Sequence, residues 1–211
     1  MQSSAQFWDG IADRYARRPV GDQAAYDYTL ERVRSYLRPD QRVLELGCGT
    51  GTTALHLRDA VSCYTATDLA PSMIAIARQK KEQAGASNLR VSVCDIAGAP
   101  AGPYDVVMAF NLFHLVGGLD GALARIHDSI RPGGLFISKT PCLKDSKSGF
   151  QRLMMRGMIP VMQLIGKAPK VVRFLSIAEW QARVEAAGFE IIETGNYPAD
   201  PPSRFLVARR R

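Results

Sequence analysis

Residues 42–51 read Arg42-Val43-Leu44-Glu45-Leu46-Gly47-Cys48-Gly49-Thr50-Gly51. The first five form a short, mostly apolar run with the length of a buried strand. Three glycines at alternate positions follow, and then a helical stretch over Thr53–Ala60. Glycine has no Cβ, so a turn built from it lets backbone amides come close to a ligand. At the carboxyl end of a first strand, such a turn forms the binding crevice of an open α/β sheet. The dinucleotide pattern G-x-G-x-x-G needs a glycine at position 52, where Thr52 stands. That departure weighs against an NAD-type site.

Outward from this segment, strand and helix patterns alternate. Upstream, Phe7, Trp8, Ile11, Ala12 and Tyr15 recur at helical spacing, and a second helix is predicted from Tyr26 to Leu37, ended by Pro39-Asp40. Downstream, strands are predicted at Tyr64–Thr67, Leu89–Cys94, Tyr104–Phe110 and Leu135–Lys139. Helices at Pro71–Ala84 and Leu119–Ile130 fall between them, the second stopped by Arg131-Pro132-Gly133-Gly134. Gly149–Gly166 interrupts the alternation, with Pro160 expected to divide it into two short helices. A helix at Ser176–Ala187, stopped by Gly188, precedes strands at Phe189–Thr194 and Phe205–Arg209. Strands alternating with helices predict an α/β fold: a Rossmann-like, mostly parallel sheet with helices on both faces. No repeat or linker marks a boundary. The chain is read as a single domain over 1–211, with N-terminal helices at 1–38 and a helical insert at 144–173.

A chain of 211 residues that is 46% hydrophobic and 22% charged has the composition of a folded globular domain. No apolar run reaches the ~18–20 residues that span a bilayer. Met1–Gly10 has neither the basic flank nor the apolar core of a secretory signal. A soluble, cytoplasmic protein is therefore expected. Cys48, Cys63, Cys94 and Cys142 are widely spaced, with no Cys-x-x-Cys pair, which predicts reduced thiols and no metal site.

The formal charge of +7 is unevenly placed. Residues 1–143 hold 15 basic and 14 acidic groups, and 174–211 hold five of each. Residues 144–173 hold seven basic groups against Asp145 alone. The excess is local to the insert.

Two acids extend the chemistry of the glycine loop. Asp68 ends the second strand, about twenty residues beyond the loop, where a carboxylate suits ribose hydroxyls. Asp95, in Cys94-Asp95-Ile96, ends the third strand. An acid there can accept from an exocyclic adenine amine while the next backbone amide reaches a ring nitrogen. Either acid alone could be a solvated strand-end residue. Three signals at successive strand ends, in this order, point to one adenosine-like ligand.

At this point the residues resemble a known family. Glu45-Leu46-Gly47-Cys48-Gly49-Thr50-Gly51 is similar to the first motif of the class I S-adenosylmethionine-dependent methyltransferases. Asp68-Leu69-Ala70-Pro71-Ser72-Met73 resembles their second motif, and Cys94-Asp95-Ile96 their adenine motif. Tyr104-Asp105-Val106-Val107 through His114 resembles the fourth strand, and Arg131-Pro132-Gly133-Gly134 the turn before the fifth. The resemblance spans residues 40 to 140. It implies a seven-stranded sheet with an antiparallel C-terminal strand, and S-adenosyl-L-methionine as cofactor. Gly47, Cys48, Gly49 and Gly51 would cradle the methionine moiety, with Glu45 ordering the loop. Asp68 would hold the ribose, Leu69 and Met73 would pack on the adenine, and Cys94, Asp95 and Ile96 would frame its edge. Ala109 and Asn111 would face the sulfonium.

Methyl transfer from a sulfonium needs a base only where the acceptor must lose a proton. His114, just past the fourth strand, is the candidate base, with simple packing as its other reading. Tyr15 is a candidate to fold over the cofactor. The amino-methylating enzymes of nucleic-acid bases resemble one another in an Asn/Asp-Pro-Pro-aromatic segment, and here the chain reads Asn111-Leu112-Phe113-His114. Cytosine-C5 chemistry would need a nucleophilic cysteine. Pro141-Cys142 follows the fifth strand, but no matching cysteine follows the fourth.

The insert is then the guide to the acceptor. Phe150, Leu153, Met154, Met158, Val161, Met162 and Ile165 form an apolar stripe, with Arg152, Arg156 and Gln163 on the polar side. Such a segment packs on the sheet, covers a lipophilic acceptor, or lies on an anionic membrane. The order of elements loosely resembles the quinone-biosynthetic and phospholipid-methylating branch. The expectation is a methyltransferase acting on a small, apolar or lipid-like acceptor, with peripheral membrane contact through 144–173. RNA methylation is a rival reading, weakened by methionines where single-strand binders place stacking aromatics. A non-catalytic, cofactor-binding regulatory protein is the other.

Overall fold

The four inner residues of β1 (Arg42–Leu46) are almost completely buried, Glu45 included. A strand closed to water on both faces belongs in the middle of a parallel sheet covered by helices. In the computed structural model, which describes residues 3–211 (151 and 152 by backbone alone), β1 sits third in a seven-stranded sheet.

The strands that follow are β2 (Cys63–Asp68), β3 (Leu89–Val93), β4 (Tyr104–Phe110), β5 (Ile130–Pro141), β6 (Phe189–Asn196) and β7 (Ser203–Arg210). Their order across the sheet is β3-β2-β1-β4-β5-β7-β6. The pairs from β3 to β5 are parallel, and β7 runs antiparallel between β5 and β6. From β1 the chain moves outward to β2 and β3, then returns to place β4 on the other side of β1. That reversal is a topological switch point, and it opens a crevice beyond the carboxyl ends of β1 and β4.

Alternation along the strands builds two cores. Leu44, Leu46, Val107 and Phe136 face α5 (Leu119–Ser129) and α7 (Ile177–Ala186), packing with Leu123, Ile126, Trp180 and Val184. Val43, Tyr64, Val106 and Met108 face the opposite layer. There α2 (Gln23–Arg34), α3 (Thr52–Leu57) and α4 (Pro71–Gln83) contribute Val33, Leu57 and Ile74. α1 (Ser4–Arg17) starts from a capping box on Ser3 and lies on α4, where Ala12 packs with Ala70 and Met73.

The structure differs from the sequence expectation in three places. α2 ends at Arg34, and Tyr36 and Leu37 close it as a turn. Arg131-Pro132-Gly133-Gly134 bulges out within β5, between the Tyr104–Ile130 and Val106–Leu135 pairs.

The third difference is in the insert, where Pro160 does not divide the helix: α6 (Gly149–Leu164) runs through it. A proline here removes one donor and crowds the carbonyl four residues back. Positions 156 and 160 are both solvent-exposed, so water can satisfy the freed carbonyl. Nor does the apolar stripe pack on the sheet, since Phe150, Leu153, Met154, Met158, Val161 and Ile165 are exposed and Leu164 is 87% exposed. The expectation for Arg152 lies outside the described side chains. Among the described residues, no helix is long and apolar enough to cross a membrane.

Candidate active site

The crevice at the switch point is a cavity of about 500 Å³. Nine residues singled out in the sequence line it together: Gly47, Gly49, Asp68, Leu69, Met73, Cys94, Asp95, Ile96 and Asn111. Tyr15 joins them from α1. Four successive strand ends, those of β1 to β4, and the N-terminal helix therefore converge on one space.

The loop after β1 owes its shape to backbone that only glycine adopts easily. Gly51 has φ +74°, and a Cβ there would lie 2.9 Å from Cβ of Ala77 on α4. The loop and α4 therefore touch without intervening side chains. At Gly49 (φ +53°) a Cβ would meet only the Tyr15 ring, 3.7 Å away. What it would fill is the cleft between loop and α1. Lys80 of α4 fastens the same loop by donating to Thr50 and Thr52, at 3.1 and 3.0 Å.

Asp68 has two tasks. Its Oδ2 accepts from the Gly49 amide and its Oδ1 from the Ala70 amide, each at 2.9 Å. Burial raises its pKa, and the backbone donors oppose that shift. Each carboxylate oxygen keeps a second lone pair for ligand hydroxyls. Asp95 is more exposed, and its Oδ1 accepts from the Gly98 amide at 2.7 Å. Leu69, Met73 and Ile96 supply apolar wall beside these acids.

Glu45, Cys48, Gly51 and Ala109 lie behind the lining. Glu45 is 2% exposed and accepts from the Tyr64 hydroxyl at 2.8 Å. Burial pushes its carboxyl up to about 7, with the Tyr64 bond opposing. Its hydrogen-bond partner is thus a buried phenol on β2, not a loop amide. Burial also pushes the Cys48 thiol up, leaving it a packing residue.

At the end of β4, Asn111 adopts φ +55°, a left-handed conformation that asparagine tolerates better than most residues. Its amide donates to the Lys139 carbonyl at 2.7 Å. The bend leads into a 3₁₀ turn at Phe113–Leu115. Residues three apart eclipse in such a turn, so Leu112 and Leu115 both reach the cavity while the His114 ring is not part of its lining. Burial lowers the His114 pKa to about 4, and its Nδ1 has no hydrogen-bond partner among the described residues.

Sequence reasoning missed several wall residues. Trp8, Phe110, Leu112, Leu115, Val116 and Pro169 all line the cavity. Trp8 meets Tyr15 edge to face at 6.0 Å, and their spacing of seven on a helix is a signal that could have paired them. Arg125 lines the cavity too, with its guanidinium engaged by the Ile96 carbonyl at 2.9 Å. Arg173 was visible only as charge. It clamps the loop after β4: its amide donates to the His114 carbonyl at 2.7 Å and its Nε to the Val116 carbonyl at 2.6 Å, while its Nη2 donates to the Gly117 carbonyl.

The donor set fits S-adenosylmethionine. The glycine loop leaves the cleft under Tyr15 free of side-chain bulk, Asp68 and Asp95 offer acceptors for ribose hydroxyls and an amine, and apolar side chains flank a flat ring. Among the described residues, no cluster of His, Cys, Asp or Glu could hold a metal ion.

Fold and site together define a Rossmann-like adenosine-cofactor protein. A family model described as a methyltransferase domain matches residues 17–194. The chain belongs to this family, the class I S-adenosylmethionine-dependent methyltransferases. Methyltransferase calH of Penicillium decumbens is 30% identical over 188 residues, covering 80% of this chain and 50% of that protein. Squalestatin hexaketide synthase of a Phoma species is 31% identical over 171 residues, covering 72% of this chain and 6% of that protein. The chain thus spans half or less of the length of these curated relatives. Magnesium protoporphyrin IX methyltransferase of Synechocystis PCC 6803, solved with bound SAH, has the same fold. Its TM-score is 0.74 at 19% identity, with 98% of each chain covered.

Proposed function

We propose that this chain transfers the methyl group of S-adenosylmethionine to a small, apolar or lipid-like acceptor. The observation that carries this reading is the apolar share of the cavity wall, to which Trp8, Phe110, Leu112, Leu115, Val116 and Pro169 contribute. A largely apolar cavity with a few placed polar groups suits a small apolar ligand. The names of two relatives, a methyltransferase and a hexaketide synthase, support small-molecule chemistry.

S-adenosylmethionine supplies a methyl group already activated on a sulfonium, so no acid is needed for the leaving group. The work of the chain is positional. Gly47–Gly51 holds the methionine end, Asp68 the ribose, and Asp95 with Ile96 the adenine edge. Tyr15 and Trp8 limit water from the α1 side. Holding two reactants in line can account for most of such a rate enhancement. His114, outside the lining, supports the loop that carries Leu112 and Leu115. A His114→Ala variant that binds cofactor normally but loses all transfer would restore it as a base.

The test is incubation with methyl-labelled S-adenosylmethionine and separated small-molecule, lipid and RNA extracts. Label should enter the small-molecule or lipid fraction, and Asp68→Ala should abolish it. Label entering RNA alone would overturn the proposal.

A further inference from the structure

α6 exposes what a folded helix ordinarily hides. At about 100° per residue, Phe150, Leu153, Met154, Met158, Val161, Leu164 and Ile165 fall within one face about 140° wide. All seven are exposed. The opposite face, with Met155, Ile159, Met162 and Gln163, is the half-buried one. Among the described residues, no helix or strand packs extensively on α6. Among its described side chains, Gln163 donates to the carbonyls of Pro169 and Lys170, and Arg156 lies 5.9 Å from the centre of the Phe174 ring.

The segment that carries the stripe is cationic. Lys147, Arg156, Lys167 and Lys170 are exposed around α6, and Asp145 is the one acid between positions 144 and 173. A second copy of the chain would bring the same positive charge face to face and be repelled. An anionic surface complements it. α6 has 16 residues, about 24 Å at 1.5 Å per residue. This length suits a helix lying in the plane of a membrane interface, its apolar side sunk below the headgroups.

We propose that α6 is a docking helix for anionic membranes, with the 150–165 apolar face inserted and the flanking lysines and arginine on the lipid headgroups. The docked helix also bears on the cavity. Gln163, on the face opposite the inserted stripe, holds the carbonyl of Pro169, a cavity-lining residue, so the docked helix would lie between the bilayer and that wall of the site. That consequence rests on the proposed lipophilic acceptor, whereas the docking itself does not.

The full chain is sedimented with vesicles of phosphatidylcholine alone and of phosphatidylcholine containing about 30% phosphatidylserine. Binding is expected only to the anionic vesicles, weakening as salt screens the headgroup charge. The double variant Val161→Ser, Leu164→Ser should bind at least about tenfold more weakly, as should Lys167→Gln with Lys170→Gln. Both substitution pairs are exposed, and calorimetric binding of S-adenosylmethionine by each variant verifies that the fold is intact. Absence of wild-type binding to anionic vesicles overturns the proposal. Equal binding by the Val161→Ser, Leu164→Ser variant overturns it too. A wild-type dimer that this variant disperses, with no vesicle binding, assigns the face to self-association instead. None of these outcomes depends on methyl transfer, so docking can fail while the methyltransferase reading stands, and the reverse.

Discussion

The carboxylate of Asp68 accepts a hydrogen bond from the backbone amide of Gly49, 2.9 Å away, and so joins the end of β2 to the loop after β1. The side chain suited to the ribose is therefore also the one that holds the glycine loop in place. Asp68→Ala removes both functions. Hydrogen bonds to a charged group are worth about 1.5–3 kcal/mol each, so cofactor affinity should fall by about 100-fold, read by calorimetry. Asp68→Asn retains one acceptor and should lose less.

Glu45 makes stability depend on pH. Burial raises its folded-state carboxyl from 4.5 to about 7. The folded chain therefore holds this proton more tightly than the unfolded chain. The stabilisation is complete below pH 4.5 and is lost as pH rises through 7, in total on the order of 3 kcal/mol. Glu45→Gln should flatten this part of the stability profile of the cofactor-free protein between pH 5 and 8. Denaturant titrations across that range measure it, and parallel profiles for the two proteins would refute the assignment.

Gly51→Ala combines a strained φ with a Cβ contact of 2.9 Å to Ala77. A loss of about 1–3 kcal/mol is expected from the backbone alone, seen as a lowered Tm. Adding Ala77→Gly relieves the contact but not the φ, so it should recover only part of the loss. Full recovery would show that backbone strain contributes nothing.

Arg173 reaches back to Val116 and Gly117 with its guanidinium. Arg173→Met leaves its backbone bond to His114 in place and releases the other two. Cofactor affinity should fall three- to tenfold while Tm changes little. Arg173→Lys should not rescue it, because an ammonium cannot reproduce the planar fork.

Tyr15 is 45% exposed, so its side chain contributes little packing to the core. Tyr15→Ala should leave Tm nearly unchanged and weaken cofactor binding by about tenfold. Tyr15→Phe should retain most of the affinity if the ring acts as a cover over Gly49.

Much of the site was legible because it is local. A glycine loop, an acid at the end of β2 and an acid after β3 each follow their own strand within a few residues. Parallel pairing then brings strand ends together without further instruction. Asp68 and Asp95 could be placed this way. Trp8, Pro169 and Arg173 could not, because Trp8 and Pro169 reach the cavity from elements far away in sequence, and Arg173 spans 57 positions to meet Val116 in the loop beside it. His114, open in the sequence to a role as base or as packing residue, stands outside the lining for a geometric reason, since the 3₁₀ turn directs Leu112 and Leu115 to the cavity and leaves out Phe113 and His114 between them.

For the insert, residue types and their order determined that the segment would be helical, apolar on a stripe and cationic. Which way the stripe faces is not a local property. Periodicity defines a face, but only the packing of neighbouring elements determines whether that face is buried. In this protein the sheet is already covered by α2, α3, α4, α5 and α7, and the apolar face of α6 is left turned to the outside.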